Sequence, residues 1–267
     1  MTDLPVTAQR IELFGVAFDP LSFSGALDRL VELACGSKCA YAVTVNVDHV
    51  VRLSKQPELA PIYRSADLVL ADGMPIVWAS QWLGRRLPER VAGSDLFPAL
   101  CERAASANLS VFLLGGSPGA ADHSARILRI RHPKLRLSGT YCPAVGFERD
   151  DVECSRIANA VHKAAPDILF VGLGSPKQER WIVRYKDVCG VKLSIGVGIS
   201  FSFFTGDVPR APNWMHRLSL EWLHRLVQEP SRLWKRYLID DLAFLPLLVY
   251  EMRRRSGRSS RTTRPTS

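Results

Sequence analysis

Three polar side chains stand where apolar segments of this chain end. Thr44 and Asn46 lie at the end of segment 40–45, and Asp72, followed by Gly73, comes after segment 67–70. Ligands of open α/β sheets bind at the carboxyl ends of the strands. A carboxylate beside a bound hydroxyl can act as a general base, so we predict that Asp72 is catalytic. Capping the helix after Pro75 is its structural alternative.

Thr44 and Asn46 permit two interpretations. Short polar side chains at a strand end can orient a ligand hydroxyl, or they can form local hydrogen bonds with the backbone. The residue types do not decide between these roles.

Two glycine-containing loops each follow an apolar segment and open a helix. Gly115 and Gly116 belong to the first loop, and Gly174 and Ser175 to the second. Glycines let the backbone approach a ligand, and the free N–H groups of a helix start favour phosphate. Neither loop matches the P-loop or the full dinucleotide fingerprint, and turning the chain is the structural alternative. Two such loops at one sheet edge favour a nucleotide diphosphate site.

Arg90 and Gln178 are further candidates. Arg90 precedes a helix and is either a surface charge or a donor to a phosphate oxygen. Gln178 stands in the first turn of its helix, where we expect it to be exposed or to bond a ligand.

Metal binding is not indicated. The six histidines show no metal spacing, no Asp-x-Asp motif is present, and the six cysteines are scattered. We therefore predict no metal, no cofactor and reduced cysteines.

The candidate residues must be positioned by strands and helices, and the patterns of these two elements alternate along the first 200 residues. Apolar segments without strict alternation predict strands covered on both faces. Strands are predicted at 10–14, 40–45, 67–70, 110–114, 135–140, 168–172 and 192–197. Helices are predicted at 22–34, 48–55, 75–83, 94–107, 120–131, 152–165 and 177–186. This order predicts an α/β fold, a mainly parallel Rossmann-like sheet with helices on both faces.

The C-terminal part has a different composition. Most of the net charge of +9 comes from the residues after Asp207. Prolines separate two predicted helices, 213–228 and 231–255, and Trp and Leu recur every four residues from Trp214 to Leu226. We predict a catalytic domain at 1–207, a basic amphipathic helical appendage at 208–255 and a disordered basic tail at 256–267. With no secretory signal and no bilayer-length apolar run, a cytoplasmic location is expected.

Several motifs occur together and in order along the chain. They are Thr44-Val45-Asn46, Ala71-Asp72-Gly73, Glu89-Arg90-Val91-Ala92-Gly93-Ser94-Asp95, Leu114-Gly115-Gly116, Gly172-Leu173-Gly174-Ser175-Pro176-Lys177-Gln178-Glu179, Arg210-Ala211-Pro212, Leu220-Glu221-Trp222-Leu223-His224-Arg225-Leu226 and Glu229-Pro230-Ser231-Arg232-Leu233-Trp234-Lys235-Arg236-Tyr237. From about Ile11 to Tyr250 the chain resembles the WecG/TagA/CpsF family of bacterial glycosyltransferases. The resemblance implies inverting, metal-independent transfer from a UDP-sugar to a polyprenyl (undecaprenyl)-diphosphate-linked acceptor. Such transfer serves surface polysaccharide or teichoic acid assembly.

The resemblance also implies roles for single residues. Asp72 corresponds to the proposed base, and the substrate-contacting positions fall on Thr44, Asn46, Arg90 and Gln178. The appendage would bind the inner face of the cell membrane and bring basic residues to the leaving diphosphate. Those basic residues are Arg225 and Arg232, with Lys235 or Arg236 as a third.

Two other functions are alternatives to glycosyl transfer. A soluble Rossmann-type oxidoreductase is opposed by the missing dinucleotide fingerprint. A nucleic-acid-binding protein could use the basic C-terminus, but Trp and Leu at helical spacing favour a bilayer surface, so we predict no nucleic-acid partner. The donor sugar stays open among N-acetylmannosamine, its uronic acid and glucose, and a homo-oligomer is possible.

Overall fold

The computed structural model describes residues 9–209, 212, 215, 221–228, 230–235 and 241–259. Two short strands, β1 (Ile11–Leu13) and β2 (Val16–Phe18), form an antiparallel hairpin. Six further strands form one sheet in which every recorded pairing is parallel. They are β3 (Ala40–Val45), β4 (Leu68–Ala71), β5 (Ser110–Gly115), β6 (Arg136–Tyr141), β7 (Ile168–Gly172) and β8 (Leu193–Gly196). Their order across the sheet is β4-β3-β8-β7-β5-β6.

Helices connect the strands and cover the sheet. In chain order they are α1 (Phe23–Cys35), α2 (Val47–Lys55), α3 (Ala60–Arg64), α4 (Met74–Trp82), α5 (Gly93–Ser106), α6 (Ala120–Arg131), α7 (Asp151–Ala164), α8 (Lys177–Cys189), α9 (Ser200–Thr205), α10 (Glu221–Gln228), α11 (Pro230–Lys235) and α12 (Phe244–Ser259). Short 3₁₀ turns lie at Pro57–Leu59, Phe147–Arg149 and Asp241–Ala243.

Two hydrophobic cores lie on opposite faces of the sheet, and most of its strands contribute to both. In β3, Tyr41 and Val43 join the core under α2, α4, α7 and α8, whereas Ala40 and Ala42 join the core under α1, α5 and α6. Successive side chains of a strand point to opposite faces, so a strand buried on both faces is predominantly apolar. The predicted parallel sheet with helices on both faces is confirmed.

The strand predicted at 10–14 is present as β1, but it belongs to a hairpin and not to the parallel sheet. The chain reverses at Phe14 and Gly15, which have φ angles of 53° and 78°. Glycine adopts such angles without strain, so it favours a tight turn. The result is the β1–β2 hairpin, which lies outside the six-stranded sheet.

The C-terminal part contains more breaks than the sequence predicts. The predicted helix 231–255 is divided into α11 and α12, with the turn at Asp241–Ala243 between them. Of the predicted helix 213–228, only Met215 and α10 lie within the described residues. The last helix, α12, continues to Ser259, into the segment predicted to be disordered, and the rest of that tail lies outside the described residues.

Helix α12 contacts the α/β core directly. Phe244 and Leu248 are buried, and the Phe244 ring lies 4.9 Å from the ring of Phe14. The domain boundary at 207 stays a prediction. No helix within the described part of the chain combines the length and the apolar character needed to cross a bilayer.

Candidate active site

Strands β3 and β4 bring Thr44, Asn46 and Asp72 to one edge of the sheet. Thr44 pairs with Leu70, and the backbone N–H of Asp72 donates to the Val45 carbonyl at 2.8 Å. A Cβ atom added to Gly73 would lie 3.9 Å from the Cβ of Asn46. The two polar strand ends are therefore neighbours, as their place after parallel strands predicts.

The carboxylate of Asp72 is held by the start of α5. The Gly93 N–H donates to Asp72 Oδ2 at 3.4 Å, and a Cβ on Gly93 would lie 3.2 Å from Thr44 Oγ1. Helix α4 begins after Gly73 with no side-chain cap. The predicted alternative for Asp72, capping the Pro75 helix, is thus wrong, since its carboxylate contacts the N-terminus of a different helix. That N-terminus favours the ionised form of a carboxylate.

The residue after Arg90 is hydrogen-bonded to the same edge of the sheet, and this bond brings Arg90 there. Val91 N–H donates to the Ala71 carbonyl at 2.8 Å, which places the loop before α5 beside the end of β4. The Arg90 guanidinium is partly buried and lies 3.2 Å from Asp95 Oδ2. This arrangement puts a positive charge close to the end of the strand that carries Asp72.

The two glycine loops contact each other at the ends of β5 and β7. Gly116 N–H donates to the Gly172 carbonyl at 2.7 Å, and a Cβ on Gly115 would meet that carbonyl oxygen at 2.7 Å. Gly115 and Gly174 have φ angles of 95° and 77°. Close packing alone thus requires glycine at Gly115. Phosphate binding by these loops stays a prediction.

Helix α2 ties the second loop to the end of β3. Arg52 Nη1 donates to the Ser175 carbonyl at 2.8 Å, and Arg52 Nη2 donates to Asp48 Oδ2 at the same distance. Helix α2 begins directly after Asn46, whose side chain caps its N-terminus. Arg52 therefore holds the loop at Ser175 close to the candidate residues at the end of β3.

Gln178 is buried, so exposure, one of its two predicted alternatives, is wrong. Its side chain is 4% exposed, and its Oε1 accepts from the Gly198 N–H at 3.0 Å. Its Nε2 donates to Glu179 Oε1 at 2.8 Å. These bonds fasten α8 to the end of β8, and direct bonding of Gln178 to a ligand stays a prediction.

The sequence interpretation missed His49 and Glu179. His49 completes a capping box with Asn46, and its Nε2 lies 3.6 Å from Glu179 Oε1. The Asn46-x-x-His49 spacing at a helix start could have indicated His49. No local signal links Glu179 to it.

The basic candidates of the C-terminal part lie on short helices or outside the described residues. Arg225 belongs to α10, Arg232 and Lys235 belong to α11, and Arg236 lies outside the described residues. Which of them reaches the candidate site stays a prediction. Within the ranges that the structure describes, no group of three or more His, Cys, Asp or Glu residues is arranged to hold a metal ion.

Comparison with known proteins decides the family. The model of the family described as "Glycosyl transferase WecG/TagA/CpsF family" matches residues 11–258. The chain belongs to this glycosyltransferase family. The resemblance inferred from the motifs is confirmed, and with it the prediction of a glycosyltransferase over an oxidoreductase or a nucleic-acid-binding protein.

Three curated relatives of this glycosyltransferase carry the name N-acetylglucosaminyldiphosphoundecaprenol N-acetyl-beta-D-mannosaminyltransferase. The relative from Bacillus subtilis strain 168 is 32% identical over 213 residues, which is 80% of each chain. The relative from Bacillus spizizenii strain W23 is 32% identical over 202 residues, 76% of each chain. The relative from Staphylococcus aureus strain MRSA252 is 26% identical over 245 residues, 91% of this chain and 92% of its own.

Proposed function

We propose that this glycosyltransferase moves N-acetylmannosamine from its UDP derivative to a sugar on undecaprenyl diphosphate, with inversion at the anomeric carbon. The relatives' name specifies a β-mannosaminyl transfer to a lipid-linked N-acetylglucosamine. The structural observation that carries the proposal is the placement of Asp72 beside Thr44 and Asn46 at the carboxyl edge of the sheet. The product would enter a cell-envelope polysaccharide or teichoic acid.

Asp72 is the general base of this proposal. The acceptor hydroxyl attacks the anomeric carbon, a new carbon–oxygen bond forms, and the bond to the UDP oxygen breaks with its electron pair. The hydroxyl proton passes to the Asp72 carboxylate, and Thr44 and Asn46 orient the transferred sugar. The contact between Gly93 N–H and Asp72 Oδ2 supports this role, because it fixes the carboxylate before the reaction.

The departing UDP carries growing negative charge, which must be met by donors and cations. We assign this role to Arg90 and to the N–H groups of the loops at Gly115, Gly116, Gly174 and Ser175. Arg225, Arg232 and either Lys235 or Arg236 would add positive charge from the C-terminal part. No metal ion is needed in this scheme.

A lipid-linked acceptor requires contact with a membrane. Exposed apolar side chains occur along the C-terminal helices, at Leu223, Val227, Trp234, Leu245 and Val249. Beside the basic residues of the same segment, they fit the surface of an anionic leaflet. We propose that this part holds the enzyme on the inner face of the cell membrane.

The test is a transfer assay with purified protein and a short polyprenyl-diphosphate-linked N-acetylglucosamine. Three donors are compared, namely UDP-N-acetylmannosamine, its uronic acid and UDP-glucose, each with and without EDTA. We expect a β-linked product from the first donor only, at a rate that EDTA does not change. Failure of that donor, an α-linked product or loss of activity in EDTA would each contradict a stated part of the proposal.

A further inference from the structure

Helix α4 carries two exposed tryptophans. Trp78 and Trp82 are 40% and 66% exposed, and their spacing of four residues places them on one face of the helix. Ile76 and Ala79, on the other faces of α4, are fully buried in the core. Single exposed apolar side chains are ordinary on a protein surface, but two tryptophans side by side indicate contact with a partner.

Two arginines follow these tryptophans. Arg85 and Arg86 are exposed, and the turn that carries them is fixed to α4. The Arg85 backbone N–H donates to the Ser80 carbonyl at 2.8 Å, and the N–H of buried Leu87 donates to Ser80 Oγ at 3.0 Å. From Gly73 to Pro88 the sequence contains no Asp or Glu. This stretch therefore presents a surface that is aromatic and positively charged.

Helix α4 begins at the candidate site. Its first residue, Met74, follows Asp72 by two positions. An α-helix rises about 1.5 Å per residue, so Trp78 and Trp82 lie about 6 Å and about 12 Å along the axis from Met74. The exposed tryptophans are thus within about two helical turns of the start of α4, next to the proposed general base.

Helices α4 and α12 pack on the same face of the sheet. Ile76 of α4 and Phe244 of α12 belong to one hydrophobic core, which lies on the opposite face from the core under α1, α5 and α6. The exposed sides of both helices therefore look away from the same face of the sheet. One extended surface can contact both helices together, whereas a small ligand cannot.

The proposed acceptor limits how far the base can lie from lipid. In that acceptor, one sugar and a diphosphate join the reacting hydroxyl to the polyprenyl chain. The hydroxyl proton passes to Asp72, so Asp72 must come within this short reach of the bilayer. A protein surface close to Asp72 must then face the membrane, and α4 is a helix that begins there.

We propose that Trp78, Trp82, Arg85 and Arg86 form a second membrane-contact surface, the α4 surface, which holds the candidate site against an anionic bilayer. The tryptophan rings lie at headgroup level, where an apolar ring with one N–H donor is favoured. The two guanidinium groups meet lipid phosphates. The inference rests on the proposed transfer for its purpose, whereas binding to lipid is measured without it.

Vesicle flotation of the full chain tests the α4 surface without a transfer assay. With vesicles of phosphatidylcholine and phosphatidylglycerol, we expect the paired change Trp78→Gln and Trp82→Gln to weaken binding at least about tenfold. Arg85→Gln and Arg86→Gln should each weaken it about fivefold, and neither should change binding to pure phosphatidylcholine. Ile130→Gln is the matched control, because Ile130 is 80% exposed on α6, on the other face of the sheet. It should bind like the unaltered protein.

Unchanged flotation in the tryptophan pair would overturn the proposal. Light scattering without lipid tests another occupant, a second copy of this chain. A dimer that dissociates in the tryptophan pair, with flotation unchanged, would assign the surface to a subunit interface instead. Because Trp78 is partly buried, the melting temperature of the pair is measured as well. If the pair does not fold, Trp82→Gln alone repeats the test at the more exposed position, and unchanged flotation there is equally decisive.

Transfer rates distinguish the α4 surface from the proposed function. With the acceptor in anionic vesicles, the tryptophan pair should lower the rate about tenfold. With a short, water-soluble acceptor, the rate should stay close to that of the unaltered enzyme. An equal loss with both acceptors would mean that the substitutions damage the site, which contradicts a membrane role. If the unaltered enzyme transfers no sugar, the proposed function fails while the flotation result still decides the lipid contact.

Discussion

Strand β4 is flanked by two aspartates, Asp67 at its amino end and Asp72 at its carboxyl end. Asp67 Oδ2 accepts from the Tyr41 N–H at 2.9 Å and so fixes the start of β3 beside β4. Asp72 contacts the N-terminus of α5 and keeps part of its surface exposed. Asp67 therefore has a structural role at the amino end of the strand, whereas Asp72 lies at the carboxyl end, where ligands of such sheets bind.

Asp72→Asn should reduce kcat by about 10²- to 10⁴-fold, because the amide cannot take the acceptor proton. Affinity for UDP and the melting temperature should stay close to those of the unaltered protein. Transfer rates and UDP titration measure both effects. Glu102→Gln, at an exposed position on α5, is the control and should retain activity. Near-normal turnover in Asp72→Asn would remove Asp72 from the base role.

At the scale of elements, paired strands of the sheet are joined by a repeated contact at their amino ends. Asp167, just before β7, accepts from the Ser110 N–H of β5 at 2.8 Å, as Asp67 does from β3. Lys192 Nζ also donates to Asp167 at 2.8 Å. Burial acts to raise the pKa of Asp167, but the bonds from Lys192 and Ser110 outweigh it and lower the pKa.

Asp167→Asn should lower the free energy of unfolding by about 1–3 kcal/mol at pH 7. A carboxyl whose pKa is lowered by folding stabilises fully above its ordinary pKa of 3.8, and this stabilisation is lost as pH falls through the folded pKa. The difference between the variant and the unaltered protein should therefore shrink below that pH. Urea unfolding at several pH values measures it, with exposed Asp187→Asn as the control. A difference that is constant with pH would contradict the assignment.

The contact between the glycine loops also belongs to this scale. Gly115→Ala should lower stability by about 3 kcal/mol or more, because the new Cβ meets the Gly172 oxygen and the φ of 95° is strained. Gly119→Ala is a matched control, since its φ is 81° but nothing lies within 4 Å of the added atom. Urea unfolding should show a smaller loss for Gly119→Ala. Equal losses would mean that backbone strain alone acts at Gly115.

For the whole molecule, α12 has an inward face and an outward face with different tasks. Phe244 and Leu248 are 6% and 7% exposed and belong to the core, whereas Leu245 and Val249 are 57% and 45% exposed. An aliphatic side chain that stays exposed to water adds no burial energy to folding, but it can enter a lipid surface. The helix can thus be fixed to the catalytic part and still contact a membrane.

Paired substitutions on α12 should separate these tasks. Leu248→Ala should lower the free energy of unfolding by about 2–4 kcal/mol through loss of core packing. Val249→Asp should leave stability nearly unchanged and weaken flotation with anionic vesicles. Chemical unfolding and vesicle flotation measure the two effects. Unchanged flotation in Val249→Asp would show that the outward face does not meet lipid.

Arg225→Ala and Arg232→Ala should each slow transfer at least about tenfold, because fewer cations would meet the charge of the departing diphosphate. Activity is compared in detergent, where loss of membrane contact cannot explain the effect. Arg129→Ala on α6, an exposed arginine outside the C-terminal part, should leave the rate unchanged. Unchanged rates in the first two variants would leave the C-terminal part with anchoring alone.

The sequence predicted the fold and the edge that carries the site, because both follow from local patterns. Strands buried on both faces are predominantly apolar, and helices between successive strands favour a parallel sheet. Parallel strands bring Thr44, Asn46 and Asp72 to one edge whatever the strand order. The hairpin at Gly15 and the break before α12 were missed, since the predicted bounds followed the apolar pattern past a turn.

The sequence by itself determined which residues stand at the carboxyl edge, and only the tertiary structure decided their partners. Asp72 contacts Gly93, Gln178 is buried against Gly198, and His49 meets Glu179, which lies 130 positions further along the chain. The last two pairs depend on β8 lying next to β3, and on β7 lying next to β8. Strand order is set by how all the helices and strands pack together, so no local pattern around His49 or Glu179 could reveal that they lie side by side.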